Sequence, residues 1–325
     1  MKRRDFIEKT GLTAGFVLTG NQSKPKSQIR DFSINATPLE TEISFKGIEK
    51  PFTVLQISDS HISCDDASDK VYEIYSSRMG RAYERVRHFQ TNEETTPLRC
   101  FEETLTNAVN DKVDMLALTG DLINYPSATA VNRILAMVKE TQIPFVYTAG
   151  NHDWHYEGME GSSEELRRTW VEKSLKPLYQ GSHPLYSSTV FHDVNFLCID
   201  NSTYQISEDQ LNFFKQQKKS GLPIVLFVHI PLYMPNMRIC CGHPDWGWEA
   251  DDSSEIERRQ RWPKSGNSSS TVSFLKEVMS SKNILGVFTG HWHHTRNTSY
   301  RGIHQYFAGP NLNGQYRKIS FLPKV

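Results

Sequence analysis

The sequence predicts an α/β fold, and three observations carry that reading. Apolar runs of strand length recur at 52–57, 115–119, 145–148, 224–228 and 284–288. Helix-like segments at 101–110 and 128–141 separate the first three runs, as crossover connections between parallel strands require. Every run stops at residues that bind metals or move protons.

The elements follow in chain order. Phe52-Thr53-Val54-Leu55-Gln56-Ile57 is nearly continuous in apolar character, the pattern of a strand covered on both faces, and it leads into Asp59-Ser60-His61. Met115-Leu116-Ala117-Leu118-Thr119 leads into Gly120-Asp121, and Phe145-Val146-Tyr147-Thr148 into Gly150-Asn151-His152-Asp153. Ile224-Val225-Leu226-Phe227-Val228 ends at His229. Ile284-Leu285-Gly286-Val287-Phe288 ends at Gly290-His291-Trp292-His293. Open α/β sheets bind ligands beyond the carboxyl ends of their strands, so these five ends are expected to share one rim. Glycine before Asp121, Asn151 and His291 suits a tight turn that presents the next side chain outward.

Composition excludes several other classes. At 325 residues the chain buries a full core without disulfide staples. With 38% hydrophobic and 11% aromatic residues it is too polar for a membrane bundle and too aromatic for a disordered chain. Lys and Arg number 37 against 37 Asp and Glu, a balance that does not favour a long nucleic acid as partner. Five cysteines, Cys64, Cys100, Cys198, Cys240 and Cys241, lack a C-x-x-C pair and are read as free structural thiols.

The first 28 residues read differently from the rest. Met1 to Gly20 has a basic start, adjacent Arg3-Arg4, and then a weakly apolar run rich in Gly and Thr. It resembles a twin-arginine export signal, and its apolar run of about ten residues is too short to span a bilayer. A polar linker follows. The expectation is an exported, periplasmic protein whose single folded domain occupies 29–325, with inserts at about 62–100 and 232–270.

Asp59, His61, Asp121, Asn151, His229, His291 and His293 are the candidate ligands, with His152 in addition. Seven ligands exceed what one ion uses. With Asp121 bridging they divide into two sets of four, the arrangement of a two-metal site. Carboxylate, imidazole and amide donors without thiolate favour manganese, iron or zinc, as divalent or trivalent ions.

The ordered blocks D-x-H, G-D, G-N-H-D, H and G-H-x-H resemble the calcineurin-like metallophosphoesterase superfamily, over about residues 52–294. The resemblance implies a four-layer αββα sandwich of two mixed sheets flanked by helices. It implies one ion on Asp59, His61, Asp121 and His293, a second on Asp121, Asn151, His229 and His291, and a His152 that faces the substrate. The expected reaction is hydrolysis of a small phosphate mono- or diester by a hydroxide bridging the ions. His152 is then the general acid, with Asp153 orienting or polarising it. Purple acid phosphatases carry a tyrosine three residues after the second-block aspartate and glycine in the first block. Asn124 and His61 stand there instead, so the pattern is closer to the bacterial phosphodiesterase and general phosphatase branches. The alternative is a metal-binding scaffold of the same fold without catalysis; retention of His152 speaks against it.

Substrate choice is expected in the inserts. Val71, Ile74, Tyr75, Ala82 and Val86 repeat at helical period, with Arg78, Arg81, Arg85 and His88 on the adjacent stripe. The second insert places Trp246, Trp248 and Trp262 on loops after His229, as cap elements or as anchors of a long loop.

Overall fold

The computed structural model describes residues 32–64, 68–80 (the Arg78 side chain excepted), 82–238, 240–245 and 266–324. The twin-arginine-like leader, Arg81, Trp246, Trp248 and Trp262 lie outside the described residues. The chain runs through β1 (Phe32–Ala36), β2 (Glu40–Phe45), β3 (Phe52–Ile57), α1 (Glu73–Gly80), the two-stranded β4 (Val86–Arg87) and β5 (Glu94–Thr95), and α2 (Pro97–Asn110). Next come β6 (Met115–Leu118), α3 (Ala128–Glu140), β7 (Phe145–Tyr147), α4 (Ser163–Trp170), β8 (Tyr186–Phe191), β9 (Val194–Ile199) and α5 (Glu208–Lys218). The last elements are β10 (Ile224–Phe227), α6 (Ser269–Met279), β11 (Ile284–Thr289), β12 (Arg296–Tyr300), β13 (Ile303–Phe307) and β14 (Arg317–Pro323).

Two six-stranded mixed sheets result, ordered β1-β2-β14-β3-β6-β7 and β12-β13-β11-β10-β9-β8. The strands β3, β6 and β7 are parallel, as are β9, β10, β11 and β13, while β14 runs antiparallel to β3 and β8 and β12 form antiparallel edges. All five apolar runs are strands, and both crossover helices are present at the predicted places.

Side chains alternate across each strand, and the alternation builds the layers. Leu55, Ile57, Leu116 and Leu118 pack with Phe101, Leu105, Ile134 and Val138 of α2 and α3. Val54, Met115, Ala117 and Val146 turn the other way and meet Phe196, Val225 and Phe227 of the second sheet. Leu226 and Val228 face outward again, onto Phe214 of α5 and Phe274 of α6. The order is helices, sheet, sheet, helices, the αββα sandwich. Each fully buried large apolar side chain contributes roughly 1.5–3 kcal/mol relative to exposure. Each crossover helix starts at a hydroxyl cap: the hydroxyls of Thr96 and Ser127 cap α2 and α3 by accepting from the amides of Arg99 and Ala130.

The insert at 62–100 differs from its expectation. The helix ends at Gly80, and Val71 and Ile74, expected on its apolar face, are each 74% exposed. Met79 is the buried apolar residue, and its carbonyl accepts from Asn124 Nδ2 and its sulfur from the Glu157 amide. These tertiary contacts fix the rotation of α1 and override the apolar period. Val86 leaves the helix pattern for the β4–β5 hairpin, pairing with Thr95. The basic stripe divides as well. Exposed Arg85 lies 3.6 Å from Glu94, and buried His88 lies 3.7 Å from Glu103.

None of the five cysteines forms a disulfide among the described residues. Burial pushes the Cys198 and Cys241 thiols up to about 12, which keeps them protonated and inert. Among the described residues, no helix is long and apolar enough to cross a membrane.

Candidate metal centre

The carboxyl ends of β3, β6 and β7 in one sheet and of β10 and β11 in the other meet along one rim, and the loops there are stitched together. The amides of Asp59 and His61 donate to the carbonyls of Gly120 and Asp121, at 3.0 and 2.9 Å. The amide of Gly290 donates to the His229 carbonyl at 2.9 Å. Close approach at this rim requires glycine: a Cβ on Gly120 would lie 2.7 Å from His229 Nδ1, and one on Gly290 would lie 2.5 Å from Asp59 Oδ2.

Five of the seven candidate ligands hold left-handed backbone: Asp59 (φ 56°), His61 (46°), Asp121 (51°), His291 (71°) and His293 (51°). Non-glycine residues in this region each cost about 1–3 kcal/mol and persist only where the surroundings hold them. Here the strain aims side chains into one space. Asp59, His61, Asp121, Asn151 and His229 are buried, and His291 and His293 are half-buried.

Three groups of ligand atoms fall within 4.8 Å of one another: Asp59, His61 and His293; His61, Asp121 and His152; and Asp121, His229 and His291. Asp121 joins the second group to the third. Its Oδ1 accepts from the His152 amide at 2.8 Å, while its Oδ2 lies 3.1 Å from His229 Nε2 and 3.8 Å from His61 Nε2. The two oxygens of Asp59 accept from the His291 amide, and its Oδ1 lies 3.5 Å from His293 Nε2.

The donor set fits cations. His229 Nδ1–H donates to the Thr119 carbonyl at 2.9 Å, so Nε2 is the lone-pair nitrogen, and it faces a carboxylate oxygen that also has only lone pairs to offer. A positive charge resolves that contact. Burial disfavours charge on His229, yet the Asp121 carboxylate outweighs it and raises the imidazole to about 10. A bound metal ion would take the place of such a proton. His61 and His293 bring their Nε2 atoms to 2.9 Å, and burial, with repulsion from His152 and His293, keeps His61 neutral, the form that ligates. Burial pushes the Asp59 carboxyl up, but His293 outweighs it and holds the group down at about 2, hence ionised.

His152 presents its ring edge-on to His61, with centroids 4.5 Å apart, and its Nδ1 lies 3.0 Å from the Asn124 carbonyl oxygen. That carbonyl therefore orients the imidazole. Asp153, expected to do so, instead accepts from the amides of Asp121, Ile123 and Gly150 and from the Tyr147 hydroxyl. It acts one step back, fixing the backbone of Asp121 and of the turn that carries His152. Burial and then the Asp121 carboxylate push Asp153 up to about 7. Tyr125, next to Asn124, stacks on Tyr156 with ring centroids 5.6 Å apart. Sequence reasoning missed Tyr204, whose hydroxyl lies 2.6 Å from His291 Nε2, and Tyr83, whose ring centroid lies 4.5 Å from that of His61.

The model of calcineurin-like phosphoesterases matches residues 52–295, the span that carries every one of these side chains. The chain belongs to the calcineurin-like phosphoesterase family. It is thereby a hydrolase of phosphoesters, and the non-catalytic scaffold gives way to the enzyme. Two curated relatives are each named "Probable cyclic nucleotide phosphodiesterase". The one from Fibrobacter succinogenes is 23% identical over 248 residues, 75% of this chain and 74% of that protein. The one from Psychrobacter arcticus is 22% identical over 266 residues, 78% of this chain and 77% of that protein. A dimetal phosphatase from Danio rerio shares the fold, with a TM-score of 0.52 and 11% identity over 82% of this chain and 91% of that one.

Proposed function

We propose that this phosphoesterase hydrolyses small phosphodiesters, cyclic nucleotides foremost, at a centre of two manganese, iron or zinc ions. The observation that carries the reading is Asp121 at the junction of two ligand groups, one oxygen held by the His152 amide and the other left to His229 and His61. One ion falls to Asp59, His61, Asp121 and His293, the other to Asp121, Asn151, His229 and His291. When bound, such ions lower the pKa of water and neutralise charge on the phosphate oxygens.

The chain's own residues then do three things. Asp59 and Asp121 supply fixed negative charge, each oriented by a backbone amide, so the centre is organised before substrate arrives. The Thr119 and Asn124 carbonyls fix the tautomers of His229 and His152. With Nδ1–H donated to Asn124, the Nε2–H of protonated His152 protonates the departing alkoxide, a task for which an imidazole is suited. Diester over monoester is supported by the names of both relatives, each covered over about three quarters of its length.

A substrate panel tests this. Purified protein with manganese, iron or zinc added back is assayed on bis-p-nitrophenyl phosphate, p-nitrophenyl phosphate and cyclic nucleotides. We expect kcat/KM on the diesters to exceed that on the monoester by at least about tenfold, some 1.4 kcal/mol of transition-state preference. Activity confined to the monoester overturns the diester reading and leaves the two-metal centre standing.

A further inference from the structure

We infer that Tyr204 is a positioning residue that selects which nitrogen of His291 holds the second metal ion. The inference rests on the two-metal reading above and adds to it a residue that lies in none of the motif blocks.

The contact is short and sheltered. The Tyr204 hydroxyl lies 2.6 Å from His291 Nε2, its ring stands at 81° to the imidazole with centroids 5.5 Å apart, and Tyr204 is 1% exposed. A neutral imidazole carries one N–H. If Nε2–H donates to the phenol oxygen, Nδ1 is the lone-pair nitrogen and the ligand, since the hydrogen bond on one ring nitrogen decides the role of the other.

The loop that presents Tyr204 is closed by its own turn and held on two sides by residues that adjoin the blocks forming the centre. The Tyr204 amide donates to the Asn201 carbonyl at 2.7 Å. Asn201 in turn clamps the residue after His229: its Nδ2 donates to the Ile230 carbonyl at 2.6 Å, and its Oδ1 accepts from the Ile230 amide at 2.9 Å. Trp154, two residues after His152, donates Nε1–H to Ser202 Oγ at 2.8 Å. Tyr204 itself holds φ of 62°, left-handed backbone that a tyrosine adopts only when held there. A loop fixed beside two motif blocks and strained at the residue that touches His291 is built to place that hydroxyl.

Tyr204→Phe tests this, because it removes one oxygen and leaves the ring and the backbone demand unchanged. Manganese and zinc are each titrated into metal-free wild type and variant by calorimetry, and the melting temperature of the metal-free proteins is recorded. We expect two binding events in wild type. In the variant one event should be unchanged within about twofold and the other weakened by roughly 10–100-fold, the usual effect of losing a partner of a ligating histidine. The metal-free melting temperatures should agree. Two unchanged events overturn the inference, as do two equally weakened events with a lowered metal-free melting temperature, which make Tyr204 a general support of the fold. Fewer than two events in wild type defeat the two-metal reading itself. A second readout needs no variant: in the zinc-loaded wild type, long-range proton–nitrogen NMR should find His291 protonated at Nε2, and protonation at Nδ1 overturns the inference.

Discussion

Asp121→Asn should empty both ion positions and reduce kcat/KM by roughly 10²–10³-fold or more, the scale set by removal of one preorganised electrostatic group. The substitution is nearly isosteric. The amide oxygen can keep the hydrogen bond from the His152 amide, so the turn survives. The other oxygen becomes an NH2 opposite His229 Nε2, where the two atoms now stand 3.1 Å apart, and an NH2 holds no cation. Because Asp121 belongs to two ligand groups, affinity should fall at both positions together, each by at least about 10–100-fold. In the metal-free protein the substitution removes the contact that raises His229 as well as the repulsion that pushes Asp153 upward, so metal content and turnover, not stability, are the readout. Metal content and turnover on bis-p-nitrophenyl phosphate are the measurements. A variant that keeps two ions and near-normal turnover excludes Asp121 as the bridge.

His152→Ala should separate binding from chemistry. The alanine retains the main-chain amide that donates to Asp121, so both ions should stay. Turnover should fall by about 10²–10⁴-fold on esters with an alkoxide leaving group, the usual worth of a positioned proton donor. An alkoxide needs its proton in the transition state, whereas p-nitrophenolate leaves without it. The defect on the nitrophenyl ester should therefore be much smaller. Equal losses on both would assign His152 to stabilising phosphate oxygens. His152 also shares a ligand group with His61 and Asp121, so metal is counted in the same sample. Loss of an ion would make it a ligand.

The parts of the fold that position this chemistry were legible because two signals coincide there. Runs such as 224–228 are apolar on both faces, and each stops at a ligand-type residue, so strand and site announce each other. The outer strands carry no such mark. In β2 only alternate residues are fully buried at first, and β12 reads Arg296-Asn297-Thr298-Ser299-Tyr300, mostly exposed at the sheet edge. Helical period misled at 71–86 because the burial of Met79 is decided by Asn124 and Glu157, residues distant in sequence. The site divides in the same way. All seven candidate ligands sit in motif blocks and stand out in the chain. Tyr204 lies 87 residues from the histidine it touches, between Thr203 and Gln205, and nothing in that loop's composition marks it. Asp153 was visible as a residue, but its work on the amides of Asp121, Ile123 and Gly150 depends on how β6 and β7 lie side by side.

The central claim is that one carboxylate, Asp121, joins two ligand sets into a single catalytic centre. The most direct test is the metal content of the purified, fully active protein, measured by plasma mass spectrometry alongside turnover as metal is removed and restored. About two transition-metal ions per chain are expected, with activity lost on chelation and recovered only as the second ion returns. A preparation saturated at one ion per chain with full activity would contradict it.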